Sequence, residues 1–329
     1  MIPDDQRAVI ITAAGGPEVL SERQDWPVPR LGPDDVLIEV AAAGINRHDC
    51  NQRAAGPSRE PNPIPGLEAS GRIVACGADV SPERLGQAVM ALTDGGSYAQ
   101  YVATDQHLAL DLPSSLDWIQ GAALPEALFT TWFNFFELMR MAPGETTLIH
   151  GGSSGVGTIA IQLLRALGHP VMATGTAEKR ALALRLGCSA VFDYADPDLA
   201  EQIRAATGTR GVDCILDTSA GAHIAQDLAA LAMGGRIAQL SAGQGKELAV
   251  PLRSLMVRRA SITGAFLRST SLDLKRRIAT ELRQRIWPLL GTAIRPHIDS
   301  TYRLSEAAAA HARMETGRHI GKIVLCVRE

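Results

Sequence analysis

The chain has 329 residues, of which 46% are hydrophobic, and its formal net charge at pH 7 is -3. This length is enough for about two domains, and the hydrophobic content supports folded cores and argues against disorder. The slightly acidic balance gives no reason to expect a nucleic acid partner, which would need a basic face.

The first third of the sequence is typical of a β-rich domain. Short apolar runs at 7–11, 36–42, 71–75, 88–92 and 98–103 are separated by proline and glycine. Because each strand of an antiparallel sheet must be closed by turn residues, this pattern predicts an antiparallel or barrel-like β domain. A helical region follows at 115–141 and is interrupted at 124–126.

A glycine-rich turn lies near the centre of the chain. An apolar run from residue 147 leads into it, and a helical pattern follows to residue 167. A strand, a tight turn and a helix in this order are typical of a dinucleotide site, where glycines admit the pyrophosphate and free helix amides meet its charge. The predicted pyrophosphate-binding residues are Gly152, Ser154, Gly155, Val156 and Gly157. Ser154 replaces the middle glycine of the G-x-G-x-x-G pattern, so a purely structural glycine turn is the alternative.

The segments after this turn alternate between strand and helix. Strand-like runs occur at 170–174, 190–192, 212–216, 236–240 and 261–265, and helical patterns at 177–186, 199–206 and 222–231. This alternation predicts a parallel sheet that is covered by helices on both faces. A helical pattern at 272–290 that ends near Pro288, a second at 304–314 and a strand at 322–327 are expected to return to the first domain and complete its sheet.

Cysteine usage and hydropathy indicate the cellular compartment in which the protein is expected. The five cysteines are scattered and form no C-x-x-C pair, so reduced thiols in a cytoplasmic protein are expected and a disulfide frame or zinc knuckle is not. The sequence shows neither a signal-peptide pattern nor an apolar run of membrane length. Neither export nor membrane insertion is therefore expected.

Four motifs carry a family resemblance. They are G-I-N-R-x-D from Gly44, P-G-L-E-x-S-G from Pro65, H-G-G-S-S-G-V-G from His150 and I-G-K-I-V-L from Ile320. With them the chain resembles the medium-chain dehydrogenase/reductase superfamily, in particular its zinc-independent NADPH quinone oxidoreductases. The segments 125–127 and 267–269 are most similar to the tumour-suppressor-inducible type. The resemblance implies an α/β fold: a Rossmann doubly wound domain at 125–267, and a GroES-like catalytic domain formed by 1–124 and 268–329.

The resemblance also implies a site without zinc. Zinc alcohol dehydrogenases carry a cysteine and a histidine at the places of Asn46 and Leu67, and Zn²⁺ needs nitrogen or sulfur ligands of that kind. His48 and His107 are nearby in sequence, and each is expected to be an isolated surface or core histidine. No metal site is therefore predicted.

Several residues are assigned roles through the resemblance. Asn46 and Thr130 are expected at the nicotinamide ribose, the main chain at Phe266 and Leu267 at the carboxamide, and Ser241 at the cofactor as well. Asp49 is expected either to order the Asn46 loop for catalysis or simply to cap it. Relatives often carry a tyrosine soon after this loop, and the segment 51–58 has none. Arg53 or solvent is therefore expected to supply a proton or to stabilise an oxyanion.

The residues after the second strand predict the choice of cofactor. A site that prefers NAD carries a carboxylate about 20 residues past the glycine turn, and the segment 173–176 has none. The resemblance places Thr176, Lys179 and Tyr194 around a 2′-phosphate, so NADPH is predicted. The alternative for Lys179 is a solvated helix face.

These expectations define three hypotheses for function. The first is an NADPH-dependent reductase that transfers a hydride to a quinone or a related electrophilic small molecule. The second is an enone or enoyl double-bond reductase of the same superfamily. The third is a non-enzymatic NADPH-binding protein similar to lens crystallins, some of which bind RNA. No nucleic acid or membrane partner is predicted, and a homodimer is expected because relatives pair their nucleotide sheets edge to edge.

Overall fold

The computed structural model describes residues 2–57, 62–242 and 247–328. The chain divides into two compact units. The β-rich unit comprises Met1–Phe129 and Ser271–Glu329, and the parallel-sheet unit comprises Thr130–Thr270. In the described ranges, no helix is both long and apolar enough to cross a membrane.

The N-terminal part of the β-rich unit is built mainly from strands. They are β1 (Asp5–Ile11), β2 (Leu20–Pro27), β3 (Asp35–Ile45), β4 (Glu68–Cys76), β5 (Ala88–Leu92), β6 (Tyr101–Asp105) and β7 (Ala109–Asp111). The helices are α1 (Arg47–Ala55) and α2 (Trp118–Ala122). A third helix, α3 (Pro125–Trp132), begins in this unit, and the π-helix at Phe133–Leu138 that continues it belongs to the parallel-sheet unit. The prolines and glycines between the apolar runs thus separate strands, as predicted.

The parallel-sheet unit alternates strand and helix. Its strands are β8 (Thr147–Ile149), β9 (Val171–Thr174), β10 (Ala190–Phe192), β11 (Val212–Asp217), β12 (Leu231–Gln239) and β13 (Ser261–Gly264). Its helices are α4 (Gly155–Ala166), α5 (Ala177–Leu186), α6 (Leu199–Ala206), α7 (Ile224–Ala230) and α8 (Leu252–Arg258). The strands pair in parallel in the order β10-β9-β8-β11-β12-β13. This is the order of a doubly wound Rossmann sheet, so the predicted fold is confirmed.

The C-terminal segment returns to the β-rich unit. It contains α9 (Leu272–Arg285), β14 (Ile298–Arg303), α10 (Ala307–Glu315) and β15 (Lys322–Cys326). β15 pairs antiparallel with β3, and the resulting sheet has the order β14-β15-β3-β4-β5-β7 with β6 also on β3. The prediction that the last strand completes the first sheet is therefore confirmed. Its core includes Ile38, Val40, Ile73 and Leu325, which are all buried.

The structure departs from the predicted elements at several places. The elements β2, β7, β14, α1 and α8 were not predicted, and the strand predicted at 98–103 lies at β6 instead. The helix predicted at 272–290 ends with α9, because Pro288 cannot continue an α-helix and falls in a short 3-10 turn, Trp287–Leu289.

Candidate active site

The glycine turn has the geometry of a dinucleotide-binding turn. Gly151 adopts a positive φ of 72° after β8. Ser154 is the N-cap of α4, and its hydroxyl accepts a hydrogen bond from the Gly157 amide at 3.0 Å. A Cβ on Gly157 would lie 2.3 Å from the Gly151 carbonyl oxygen, so only glycine fits there. The serine in place of the middle glycine thus satisfies one of the free amides at the start of the helix.

A buried histidine is connected to this turn by hydrogen bonds. His150 is 2% exposed, and its Nε2 lies 2.7 Å from Oδ1 of Asp227. Its Nδ1 lies 3.0 Å from the hydroxyl of Thr174, which also accepts a hydrogen bond from the Gly151 amide. Burial alone would lower the pKa of His150, but the hydrogen bond and charge of Asp227 raise it. His150 was not predicted as a site residue, and the signal available in the sequence was a polar residue at the end of an apolar strand.

The predicted phosphate-binding residues lie where β9 and β10 end. Thr176 is the N-cap of α5, yet its side chain makes no cap hydrogen bond. Its Oγ1 is buried and has no hydrogen-bond partner within the described part of the chain. Lys179 follows in the first turn of α5 and is half-buried. Tyr194 follows β10 and is 43% exposed. Because parallel strands end at one edge of a sheet, these residues lie at the same edge as the glycine turn.

The remaining predicted cofactor residues of this unit also follow the strands or flank them. Ser241 follows β12 and is half-buried, and Phe266, which follows β13, is 67% exposed. Leu267 begins a short 3-10 helix. Thr130 is 2% exposed on α3, and its carbonyl oxygen accepts a hydrogen bond from Asn134 at 2.8 Å.

In the β-rich unit, Asn46 lies in a buried cluster of polar side chains. It is the N-cap of α1, directly after β3, and is 8% exposed. Its Nδ2 donates to Oε1 of Glu68 at 2.9 Å, and its Oδ1 accepts from Nζ of Lys322 at 2.6 Å. Lys322 also donates to Glu68. The second carboxylate oxygen of Glu68 accepts from the Glu126 amide at 2.9 Å. Neither Glu68 nor Lys322 was predicted as a site residue.

Asp49 holds the start of α1 in place. Its Oδ2 accepts from the Asn46 amide at 2.8 Å and from the Tyr98 hydroxyl at 3.0 Å, and its Oδ1 accepts from the Gly66 amide at 3.2 Å. Burial raises its pKa to about 7, although these hydrogen bonds and the charge of Lys322 act in the opposite direction. Both predicted roles, ordering the Asn46 loop and capping it, agree with this geometry.

A directed hydrogen-bond chain connects Asp49 to Arg53. Nη1 of Arg53 lies 3.3 Å from Nδ1 of His311, and Nε2 of His311 lies 3.1 Å from the Tyr98 hydroxyl. A guanidinium can only donate, so Nδ1 accepts, Nε2 donates to Tyr98, and Tyr98 donates to Asp49. Burial and the charge of Arg53 lower the pKa of His311 to about 3, which keeps the ring neutral.

Arg53 itself is engaged inside the unit. It is 2% exposed, its Nε donates to the Gly15 carbonyl oxygen at 3.1 Å, and its Nη2 pairs with Glu315. With His311 these partners occupy each of its three nitrogens. The proposed contact of Arg53 with an acceptor stays a prediction, and this geometry favours a supporting role instead.

Comparison with known proteins agrees with this architecture. Residues 32–114 match the alcohol dehydrogenase GroES-like domain, and residues 155–283 match the family described as zinc-binding dehydrogenase. Quinone oxidoreductase from Homo sapiens is 32% identical over 327 residues, which is 97% of each chain. A mycobacterial structure solved in complex with NADPH matches with a TM-score of 0.83 and 28% identity over 98% of this chain and 100% of that one. The structure of CurK enoyl reductase matches with a TM-score of 0.85 and 25% identity over 99% of this chain and 100% of that one.

A GroES-like unit and a Rossmann sheet in one chain are the architecture of a dehydrogenase or reductase of the alcohol dehydrogenase type. The chain belongs to the medium-chain dehydrogenase/reductase superfamily and is a quinone oxidoreductase-like member of it. Although one matched family is described as zinc-binding, Asn46 and Leu67 here offer an amide and an aliphatic side chain. Throughout the described residues, no group of three or more His, Cys, Asp or Glu side chains could hold a metal ion.

The hydrogen bond of Tyr98 to Asp49 yields a test of this network. Because the folded pKa of Asp49 is about 7, above its ordinary value of 3.8, the stability linked to the protonated carboxyl is fully present below pH 3.8 and is lost as pH rises from there to about 7. Tyr98→Phe removes a donor that favours the ionised form. We expect it to lower the free energy of unfolding by about 1–3 kcal/mol more at about pH 9 than at about pH 5.

Denaturant unfolding at both pH values measures this difference, and Tyr101→Phe, at a half-buried tyrosine of β6, is the matched control. If Tyr98→Phe lowers the free energy of unfolding equally at both pH values, this hydrogen bond does not favour the ionised form of Asp49, and the prediction is wrong.

Proposed function

We propose that this chain is an NADPH-dependent, zinc-free oxidoreductase that transfers a hydride to a quinone or a related electrophilic acceptor. The observation that supports it most directly is the end of β9, where Thr174, Gly175 and Thr176 offer small polar residues and no carboxylate. The 32% identity to quinone oxidoreductase supports the class of acceptor. Within the branch, we propose the tumour-suppressor-inducible type, on the segments 125–127 and 267–269.

The described residues fit the diphosphate and the 2′-phosphate of NADPH. The Oγ1 of Thr176, which has no hydrogen-bond partner among the described residues, and the half-buried Lys179 provide a hydroxyl and a positive charge. A Cβ on Gly175 would have only the Lys179 Cβ near it, at 3.9 Å, so there is room for a phosphate beside the backbone. Tyr194 and the amides at the start of α4 are the other proposed contacts.

NADPH, when bound, supplies the hydride from its nicotinamide, and the chain mainly has to position it and exclude water. We propose that residues 125–267 bind the cofactor and that residues 1–124 with 268–329 form the catalytic domain. Asn46 and Thr130 are proposed at the nicotinamide ribose, Ser241 at the cofactor, and the main chain of Phe266 and Leu267 at the carboxamide. Asp49 orders the Asn46 loop in this proposal, through the hydrogen bonds described above.

We further propose a homodimer that forms through the parallel-sheet unit. β13 is the last strand in the sheet order and is mostly exposed or half-buried. On the preceding helix α8, Leu252, Met256 and Val257 are 67%, 74% and 57% exposed. An open sheet edge next to exposed apolar side chains favours pairing with a second copy. The cytoplasmic location stays a prediction.

The second candidate function is an enoyl or enone reductase, which the structural similarity to CurK enoyl reductase favours. Consumption of NADPH with ortho-quinones, para-quinones and enones separates the two. We expect the quinones to give the highest kcat/KM. Faster turnover of enones would support the second candidate instead. Binding of NADPH without any turnover would support the non-enzymatic hypothesis, for which an RNA filter-binding assay is the further test.

The choice of cofactor gives a second test. Lys179→Ala should weaken NADPH binding about ten- to hundredfold, because a charge-assisted contact to phosphate contributes about 1.5–3 kcal/mol. NADH, which lacks the 2′-phosphate, should bind nearly as before. Fluorescence titration measures both, with Arg180→Ala on the exposed side of α5 as the matched control. Equal affinity of the unmodified protein for NADPH and NADH would contradict the proposed cofactor.

A further inference from the structure

Three buried polar side chains meet at one end of the sheet in the β-rich unit. β4 and β15 both run antiparallel to β3, so both begin where β3 ends. Asn46 directly follows β3, Glu68 opens β4 and Lys322 opens β15. Their exposed fractions are 8%, 0% and 2%. The topology therefore places an ammonium, a carboxylate and an amide together away from water.

The two charges determine which way the amide of Asn46 points. An ammonium can only donate and a carboxylate can only accept, so Oδ1 of Asn46 must meet Lys322 and Nδ2 must meet Glu68. The flipped amide would bring Nδ2 to the ammonium and Oδ1 to the carboxylate, which replaces two attractive contacts by two repulsive ones. The amide is thus held in one orientation, in which Nδ2 has one further N–H.

Two neighbouring groups, the Glu126 amide and Gly44, help to keep Glu68 in place. Its Oε2 accepts from the Glu126 amide at 2.9 Å. A Cβ on Gly44 would lie 2.2 Å from its Oε1, so the glycine leaves the space that the carboxylate occupies. Replacing a buried ion pair by apolar residues often leaves stability unchanged or increases it. Stability alone is therefore a weak reason for these charges, and orientation of Asn46 is a stronger one.

We propose that Glu68 and Lys322 are positioning residues of the reaction, which fix the Asn46 amide so that the second N–H of Nδ2 is a preset donor to an oxygen of the bound nicotinamide ribose. The proposal rests on the proposed function, because Asn46 is assigned to the cofactor there. A donor that is already oriented before binding avoids the cost of ordering it later.

A double-mutant cycle tests the proposal. Glu68→Gln with Lys322→Met removes both charges at similar volume and leaves the orientation of Asn46 unspecified. We expect Kd for NADPH to rise and kcat to fall, each roughly tenfold, since small misplacement of a positioning group can reduce rates by up to about a hundredfold. In an Asn46→Ala background the same pair should change neither value more than about twofold, because the group they orient is gone. Losses that add in full would overturn the proposal.

Controls separate positioning from folding. Asp299→Asn with Arg313→Met neutralises another ion pair of the same unit and should leave Kd and kcat unchanged. The protein with both Glu68→Gln and Lys322→Met could fail to fold, and Asn46→Asp is the second variant for that case. It keeps an oxygen facing Lys322 and loses the N–H groups of Nδ2. Asn46→Asp should lose as much NADPH affinity as Asn46→Ala, and near-normal affinity would overturn the proposal. Because Kd needs no turnover, this result stands even if no quinone or enone is reduced, an outcome that would contradict the proposed function alone.

Discussion

Polar groups that are removed from water at the start of α1 must keep partners, and the local structure of the β-rich unit depends on this constraint. Leaving a buried charge without its partner costs about 3–5 kcal/mol. Lys322, Glu68 and Asn46 satisfy one another where three strands meet. Asp49 is satisfied by two backbone amides and by Tyr98. Because most of these partners come from separate segments of the chain, the loop that carries Asn46 is fixed by the sheet as well as by its local contact between Asp49 and the Asn46 amide.

In the parallel-sheet unit, buried polar side chains next to the glycine turn also keep hydrogen-bond partners. His150 and Asp227 form a buried pair, and Thr174 links the imidazole to the Gly151 amide. Buried polar partners thus hold a turn of amides in the parallel-sheet unit and an amide side chain in the β-rich unit. Preset donors of this kind need no reorganisation when charge develops. Asn46 and Leu67 occupy the places of two metal ligands in this chain, so preset hydrogen-bond donors are the groups that it offers there.

The parallel sheet could be predicted well from the sequence. α5, β10 and α6 have the predicted bounds. The left-handed Gly187 marks the end of α5, and α6 has a clear apolar face that buries Leu199 and Ile203. β2 and β14 were missed because they are half-buried and polar, and α1 because its sequence R-H-D-C-N-Q-R-A-A has no apolar stripe.

The candidate site could be predicted only in part. The glycine turn and Asn46 belong to local motifs, so their places in the chain could be predicted. The partners of Arg53 could not, since His311 and Glu315 lie 258 and 262 residues further along the chain. A single sequence contains no signal for pairings of that separation. The same applies to Lys322, which is 254 residues from Glu68 and occurs in a motif that was used only for the resemblance.

We propose that hydride transfer in this protein needs a positioned cofactor and fixed hydrogen-bond donors, and no metal. This proposal is tested most directly by measuring zinc content and NADPH-dependent quinone reduction on the same purified protein, before and after prolonged treatment with a chelator. We expect less than stoichiometric zinc and an unchanged kcat after treatment. One tightly bound zinc per chain, with activity that is lost on chelation and restored by Zn²⁺, would contradict it.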